Sequence, residues 1–289
     1  MGELRVSETK QLVDTYGRVH RDLRVSLTDR CSLRCTYCMP ADFSDWIANE
    51  KLLTTEELVT VIGLCVDAGI TQVRLTGGEP LLRRDIVDVV RRINELPKPP
   101  RISLTTNALR LAEVAHELKD AGLARVNVSL DTLDPTRFKE MTHRDRFHDV
   151  IAGIEAAQAA GLTPLKVNSV LLKGVNDDEA IPLLRHALAN NWNLRFIEQM
   201  PLDAGDLWAR PVMVTADEIQ KELEREFDLT PVPSRGSAPA EEFYVNGGPA
   251  TVGIIASVTR PFCAACDRLR LTADGRSEEH TSELQVHYS

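Results

Sequence analysis

The chain has 289 residues, 43% of them hydrophobic, and a formal charge of −9. That supplies a full core for a large α/β domain, excludes global disorder and argues against non-specific nucleic-acid binding, which needs a basic surface. No apolar run approaches membrane-spanning length and residues 1–17 lack a secretory h-region, so the expectation is a cytoplasmic chain without membrane attachment.

Residues 22–27 read as a first strand, with Leu23, Val25 and Leu27 alternating with polar residues. Residues 30–40 follow at once and place Cys31, Cys35 and Cys38 in one loop with C-x3-C-x2-C spacing. Three thiolates that close can reach one metal centre. A structural zinc site takes four ligands, and so does a fully ligated iron–sulfur cluster. Three cysteines therefore leave one corner open to a substrate or cofactor, with Tyr37 as an aromatic face beside it. A zinc knob completed from afar, or a disulfide with a spare thiol, are the bland alternatives.

Residues 54–67 look helical, capped by Thr54 or Thr55 before Glu56 and Glu57. Leu58, Val61, Ile62 and Cys65 share a face, so Cys65 reads as a small core hydrophobe. Residues 72–76 form a second strand closed by Gly77-Gly78-Glu79-Pro80, and residues 84–95 a helix. Gly77 and Gly78 let backbone approach a ligand closely, and Glu79 could hold a cationic amino group. The alternative is an ordinary strand-to-helix turn.

Strands are expected at 101–105, 124–130, 165–172 and 193–199, and helices at 111–121, 149–160 and 178–189. Such alternation means a parallel sheet with helices outside. No Gly-x-Gly-x-x-Gly follows the first strand, which disfavours a Rossmann dinucleotide site. The chemically suggestive residues fall at strand ends: the cysteine loop, Gly-Gly-Glu-Pro, Thr105, Ser129 with Asp131, and Met200. Catalytic residues of a barrel sit at those ends.

After Pro201 the rhythm changes. Residues 215–227 read as one amphipathic helix and 231–242 as a loop, with a small β element at 242–244 and 251–258. Cys263 and Cys266 then form C-x2-C, followed by Arg268-Leu269-Arg270. Alone this pair fits a small zinc site or a redox pair. Arg24, Arg74, Lys166, Arg268 and Arg270 recur towards one mouth. Convergent cations in an acidic chain suggest a polyphosphate or nucleotide, against the alternative of singly solvated strand residues.

The cysteine spacing and the Gly-Gly-Glu turn resemble those of the radical S-adenosylmethionine (SAM) enzymes. Residues 23–275 resemble the GTP 3′,8-cyclase (MoaA) family of molybdenum cofactor biosynthesis, on residues 29–40, 74–83, 105–107, 126–133, 166–177, 196–201 and 262–275. The resemblance implies an incomplete (β/α)6 TIM-like barrel over residues 22–201, after an extension at 1–21. A smaller region at 202–275 would close the barrel mouth. It implies that Cys31, Cys35 and Cys38 hold a SAM-binding 4Fe–4S cluster. Tyr37, Gly78, Glu79, Ser129 and Met200 would bind SAM. Arg24, Arg74, Thr105, Lys166, Arg268, Leu269 and Arg270 would bind GTP. Cys263 and Cys266 would ligate a second 4Fe–4S cluster. SAM would be cleaved to methionine and a 5′-deoxyadenosyl radical that takes the ribose 3′ hydrogen of GTP, and the carbon radical would attack C8. An external reductant, a downstream cyclic pyranopterin monophosphate synthase and a homodimer are implied as partners.

The chain departs from the family in one place that matters. The position of the third cysteine of the second cluster is His280. Residues 276–285, Arg-Ser-Glu-Glu-His-Thr-Ser-Glu-Leu-Gln, match the translation of a sequencing-adapter read. Residues 276–289 are therefore expected to be an artefactual tail that replaces the native end and its Gly-Gly. Ala108 stands where the family usually has Gly. Competing readings are a peptide-modifying radical SAM enzyme, which should lack Arg268 and Arg270, and a non-catalytic metal-binding module.

Overall fold

Leu23 and Val25 are buried while Asp22, Arg24 and Ser26 are half-buried, so β1 (Asp22–Ser26) has an apolar and a polar face. The same alternation marks β5 (Lys166–Val170) and β6 (Asn193–Ile197). Between them lie β2 (Gln72–Thr76), β3 (Arg101–Thr106) and β4 (Arg125–Ser129). The apolar faces pack outward under helices, and the polar faces turn to a common interior. The structure, a computed structural model, describes residues 11–14, 16–201, 208, 213–233 and 235–278. His280 and the tail from 279 onward lie outside them.

Each strand returns through a helix. α1 (Thr55–Asp67) opens with a capping box in which Thr54 and Glu57 satisfy each other's backbone N–H groups. Its buried stripe is Leu58, Ile62 and Val66, and Cys65 is half-buried against the same core. α2 (Ile86–Asn94), α3 (Leu111–Asp120), α5 (Phe147–Ala159) and α6 (Ala180–Ala189) follow at the expected places, one or two residues shorter at most ends. α4 (Pro135–Thr142) was not expected from the pattern. Its start signal is present: Asp134 accepts from the N–H groups of Thr136 and Arg137, and Pro135 occupies the first turn.

The C-terminal region does not form a separate layer. Its strands continue the sheet at both edges, giving the order β11-β10-β1-β2-β3-β4-β5-β6-β9-β8-β7. β9 (Thr251–Ile255) runs parallel to β6, and β8 (Glu241–Val245) and β7 (Leu229–Pro231) extend that edge antiparallel. β10 (Arg268–Leu271) runs parallel to β1, with β11 (Ser277–Glu278) outside it. The two ends do not pair with each other among the described residues, so the barrel stays open on one side. Residues 256–267 run from the end of β9 to the start of β10, linking the strands that flank β6 and β1. The stretch 231–242, expected as a loop, contains the end of β7 and the start of β8. α7 (Ala216–Leu223) is shorter than expected, with its own Thr215–Glu218 capping box.

Candidate active site

The cysteine loop leaves the carboxyl end of β1 and is pinned to the helix missed in the sequence. Arg34 N–H donates to the Thr142 carbonyl at 3.0 Å and Thr36 N–H to Met141 at 2.9 Å, both on the last turn of α4. The Arg34 guanidinium donates to the carbonyls of Cys31 and Leu33 at 2.7 and 2.8 Å and stacks on Trp46 at 5.0 Å. Cys31 and Cys35 are half-buried and Cys38 is exposed. Burial pushes all three thiols above their ordinary pKa, Cys35 furthest, and Asp131 and the neighbouring cysteines push Cys35 higher still. A metal cation reverses that balance, because coordination deprotonates thiols outright.

Gly77 and Gly78 permit a close approach within the chain itself. A Cβ on Gly77 would stand 2.3 Å from the Thr28 carbonyl oxygen, and one on Gly78 would stand 2.2 Å from that of Arg30. The turn lies directly on the backbone that leads into the cysteine loop, with Gly78 N–H donating to Thr28 and Glu79 N–H to Arg30. Only residues without a side chain fit there.

Glu79 is 1% exposed. Its carboxylate accepts from Leu81 N–H at 2.9 Å, the Thr106 hydroxyl at 2.6 Å and Asn107 N–H at 2.7 Å. Thr106 and Asn107 thereby tie the turn after β2 to the end of β3, while Leu81 N–H closes the turn itself. Asn107 in turn directs its Nδ2 to Cys31 Sγ at 3.8 Å and Ser32 Oγ at 3.0 Å.

The Tyr37 hydroxyl donates to Asp131 Oδ2 at 2.7 Å, and Asp131 Oδ1 accepts from Val170 N–H at 2.8 Å. Burial raises the Asp131 carboxyl to about 6, opposed by those two donors. The cysteine loop is thus tied to the ends of β4 and β5 as well.

Below this rim the interior is cationic. Arg24 stands level with Arg74 on β2 and with Arg270 on β10. Arg268 stands level with Asp22, two residues lower on the same face. Burial, then Arg268, Arg74 and Arg270, push the Arg24 guanidinium well below its ordinary value. Arginine keeps its proton at neutral pH, so this crowding is a repulsion that a bound anion relieves. Lys166 is lowered to about 7 by burial and by Arg195 and Arg125. Nε of Arg24, Arg74 and Arg125 is buried without a hydrogen-bond partner among the described residues. One cavity is lined by Arg24, Arg74, Thr105, Ser129, Asp131 and Arg195 among others. A second adjoins it through Arg24, Ile197 and Ile255, and reaches Met200, Cys263, Cys266, Arg268 and Arg270.

The comparisons with known proteins agree with this layout. The Radical SAM superfamily profile matches residues 25–187, and the Molybdenum Cofactor Synthesis C profile matches residues 192–279. A GTP 3′,8-cyclase of Streptomyces coelicolor is 59% identical over 268 residues, covering 92% of this chain and 79% of the relative. A GTP 3′,8-cyclase 2 of Mycobacterium tuberculosis is 51% identical over 277 residues, covering 94% and 77%. The chain belongs to the GTP 3′,8-cyclase family of radical SAM proteins. In fold it is similar to SuiB of Streptococcus suis, solved bound to S-adenosylmethionine, with a TM-score of 0.67 and 16% identity. That match covers 95% of this chain and 64% of SuiB. Methylornithine synthase is similar with a TM-score of 0.54 over 68% of this chain and 58% of its own, at 17% identity.

Membership of the radical SAM family implies a 4Fe–4S cluster and SAM, and the donor set fits. Among the described residues no three His, Cys, Asp or Glu groups are placed to hold a single metal ion. A four-iron cluster takes one thiolate per iron, so its donors spread further apart, and three thiols leave one iron for SAM. Of the second site, the described residues supply two thiols. Cys263 lies in a short 3-10 turn and Cys266 is buried, with Arg268 Nε donating to its sulfur at 3.1 Å. Two thiols do not complete a cluster.

The structure gathers Arg24, Arg74, Thr105, Arg268 and Arg270 around joined cavities, with Lys166 on the same face of β5 as Asn168. Leu269 alternates to the other face and packs against the hydrophobic core, so only its neighbours present side chains to the interior. Several interior residues were missed: Arg18, Asn107, Arg125, Asn127, Asn168 and Arg195. Asn127, Asn168 and Arg195 were findable, because each is a polar residue flanked on both sides by residues of its strand's buried face.

Proposed function

We propose that this chain is a GTP 3′,8-cyclase. It would convert GTP to 3′,8-cyclo-7,8-dihydroguanosine triphosphate, the first step of molybdenum cofactor biosynthesis. One observation carries the reading: the same barrel that bears Cys31, Cys35 and Cys38 on its rim holds Arg24, Arg74 and Arg270 level on three adjacent strands. Guanidiniums crowded this closely repel one another, even with Asp22 3.6 Å from Arg74, and a triphosphate is the chemistry that relieves the repulsion.

Cys31, Cys35 and Cys38 would hold the SAM-binding cluster, with Tyr37, Gly78, Ser129 and Met200 around SAM. The reduced cluster with SAM supplies a primary carbon radical when bound. The chain's own part is positioning and exclusion of water. Arg24, Arg74, Arg268, Arg270 and Lys166 would hold the triphosphate. Arg195, held by Glu242 at 3.0 Å, adds a further cation. The same interior offers Thr105 and Asn127, whose side chains hydrogen-bond at 3.2 Å, level with Lys166, to the rest of the nucleotide. Glu79 acts here through the chain, because both its oxygens are engaged by backbone and hydroxyl donors. No step is assigned to a second cluster. An external reductant, a cytoplasmic setting and hand-over to the downstream synthase belong to the same proposal.

The test is anaerobic incubation of the iron-loaded chain with dithionite, SAM and GTP, followed by mass spectrometry of the nucleotides. A product isomeric with GTP, with the ribose 3′ hydrogen transferred to 5′-deoxyadenosine, is expected. Deoxyadenosine with unchanged GTP would overturn the cyclase reading.

A further inference from the structure

The hydrogen bonds around Asn107 leave its amide with one orientation. Its Oδ1 accepts from Leu109 N–H at 3.2 Å, closing a turn at the end of β3. Its own N–H is taken by Glu79 Oε2 at 2.7 Å, and the preceding Thr106 hydroxyl by Glu79 Oε1. With the carbonyl oxygen committed, the donor end of the amide must face the cysteine loop. There Nδ2 lies 3.0 Å from Ser32 Oγ and 3.8 Å from Cys31 Sγ. Asn107 is 7% exposed, so little water competes for that donor.

We infer that Asn107 tunes the cluster held by Cys31, with Glu79 as the residue that positions it. The inference rests on the proposed SAM-cluster reading. An N–H donated to a cluster thiolate spreads its negative charge. It therefore stabilises the reduced, more anionic state and raises the potential at which an electron can enter. The sequence offers Glu79 and Asn107 as separate features, and the fold joins them. The turn after β2 supplies the carboxylate, the end of β3 supplies the amide, and the sulfur lies on the loop after β1.

The test compares the midpoint potential of the anaerobically loaded, SAM-free full chain with Asn107→Ser, Asn107→Leu and Ser32→Ala, all loaded identically. A serine hydroxyl can still accept from Leu109 N–H, keeping the turn, but is too short to reach Cys31. The expected result is a shift to more negative potential in Asn107→Ser and Asn107→Leu, at the parent's iron content and SAM affinity. Ser32→Ala should keep the parent potential. A fully loaded Asn107→Ser at the parent potential would overturn the inference, as would an equal shift in Ser32→Ala. Failure of Asn107→Ser to load iron, with its turn kept, would also overturn it by showing a structural role only. A parent chain that loads no cluster would instead sink the SAM-cluster reading, before any variant is compared.

Discussion

Arg24 and Arg270 occupy the same rung of the parallel ladder between β1 and β10. The first belongs to the barrel proper and the second to the C-terminal region, so the proposed phosphate site would form only when the two halves of the chain pair. Arg74 completes the rung from β2.

Replacing Arg24 by alanine should weaken GTP binding by roughly 10- to 100-fold, the worth of a charge-assisted hydrogen bond. The same change removes the most crowded cation, so the unfolding temperature of the nucleotide-free protein should hold or rise. Calorimetric titration and thermal melting of one sample read both. Unchanged affinity would remove Arg24 from the phosphate site.

Lys166 sets a pH dependence. In the nucleotide-free protein it is lowered to about 7 by burial, with Arg195 on β6, Arg125 on β4 and Arg74 on β2 lowering it and Glu242 on β8 raising it. Charging it in the folded state is therefore unfavourable. That cost is fully present below about pH 7 and fades as pH rises towards the ordinary 10.5. A triphosphate favours the charged form, so binding takes up a proton and weakens above about pH 7, by up to about tenfold per unit. Lys166→Met should flatten this component, with the phosphate's own titration common to both proteins. Parallel affinity profiles for parent and variant would refute the assignment.

Gly78→Ala should abolish iron loading, since its Cβ would stand 2.2 Å from the Arg30 carbonyl oxygen at the root of the cysteine loop. Gly63→Ala on α1 is the matched control. Its nearest neighbour would be a Leu96 methyl at 3.5 Å, and alanine favours a helix by up to about 1 kcal/mol. Equal iron content in the two variants would contradict this view of the turn.

Ala108 has φ of +64° and is fully buried. A left-handed alanine costs about 1–2 kcal/mol, and glycine returns about 0.5–1 of that as chain entropy. Ala108→Gly should therefore change stability by between about 0 and +1.5 kcal/mol in urea unfolding. A loss above about 1 kcal/mol would show that the Ala108 methyl, which faces Gly153 of α5, matters more than the strain.

Much of this was legible in the residues. The β/α alternation, the cysteine loop and the strand-end placement of Thr105, Ser129 and Met200 follow from local pattern, because period and turn chemistry are local properties. The pairing of Arg24 with Arg270 is not local. It depends on a parallel ladder between segments about 245 residues apart, which no spacing reveals. The role of Glu79 was hidden for the same reason. Its donors, Thr106 and Asn107, come from the next strand. α4 was obscured by its charged sequence, although Asp134-Pro135 marked its start. Leu269 entered with its neighbours through the family resemblance, and a strand's two-residue alternation turns its side chain the other way.

The most direct test of the central claim is 5′-deoxyadenosine formation by the anaerobically reconstituted chain with dithionite and SAM, with and without GTP. A rate that rises on adding GTP, and fails to rise in Arg24→Ala at the same GTP concentration, is the predicted result. A folded, cluster-loaded chain whose deoxyadenosine formation is absent, or indifferent to GTP, would contradict it.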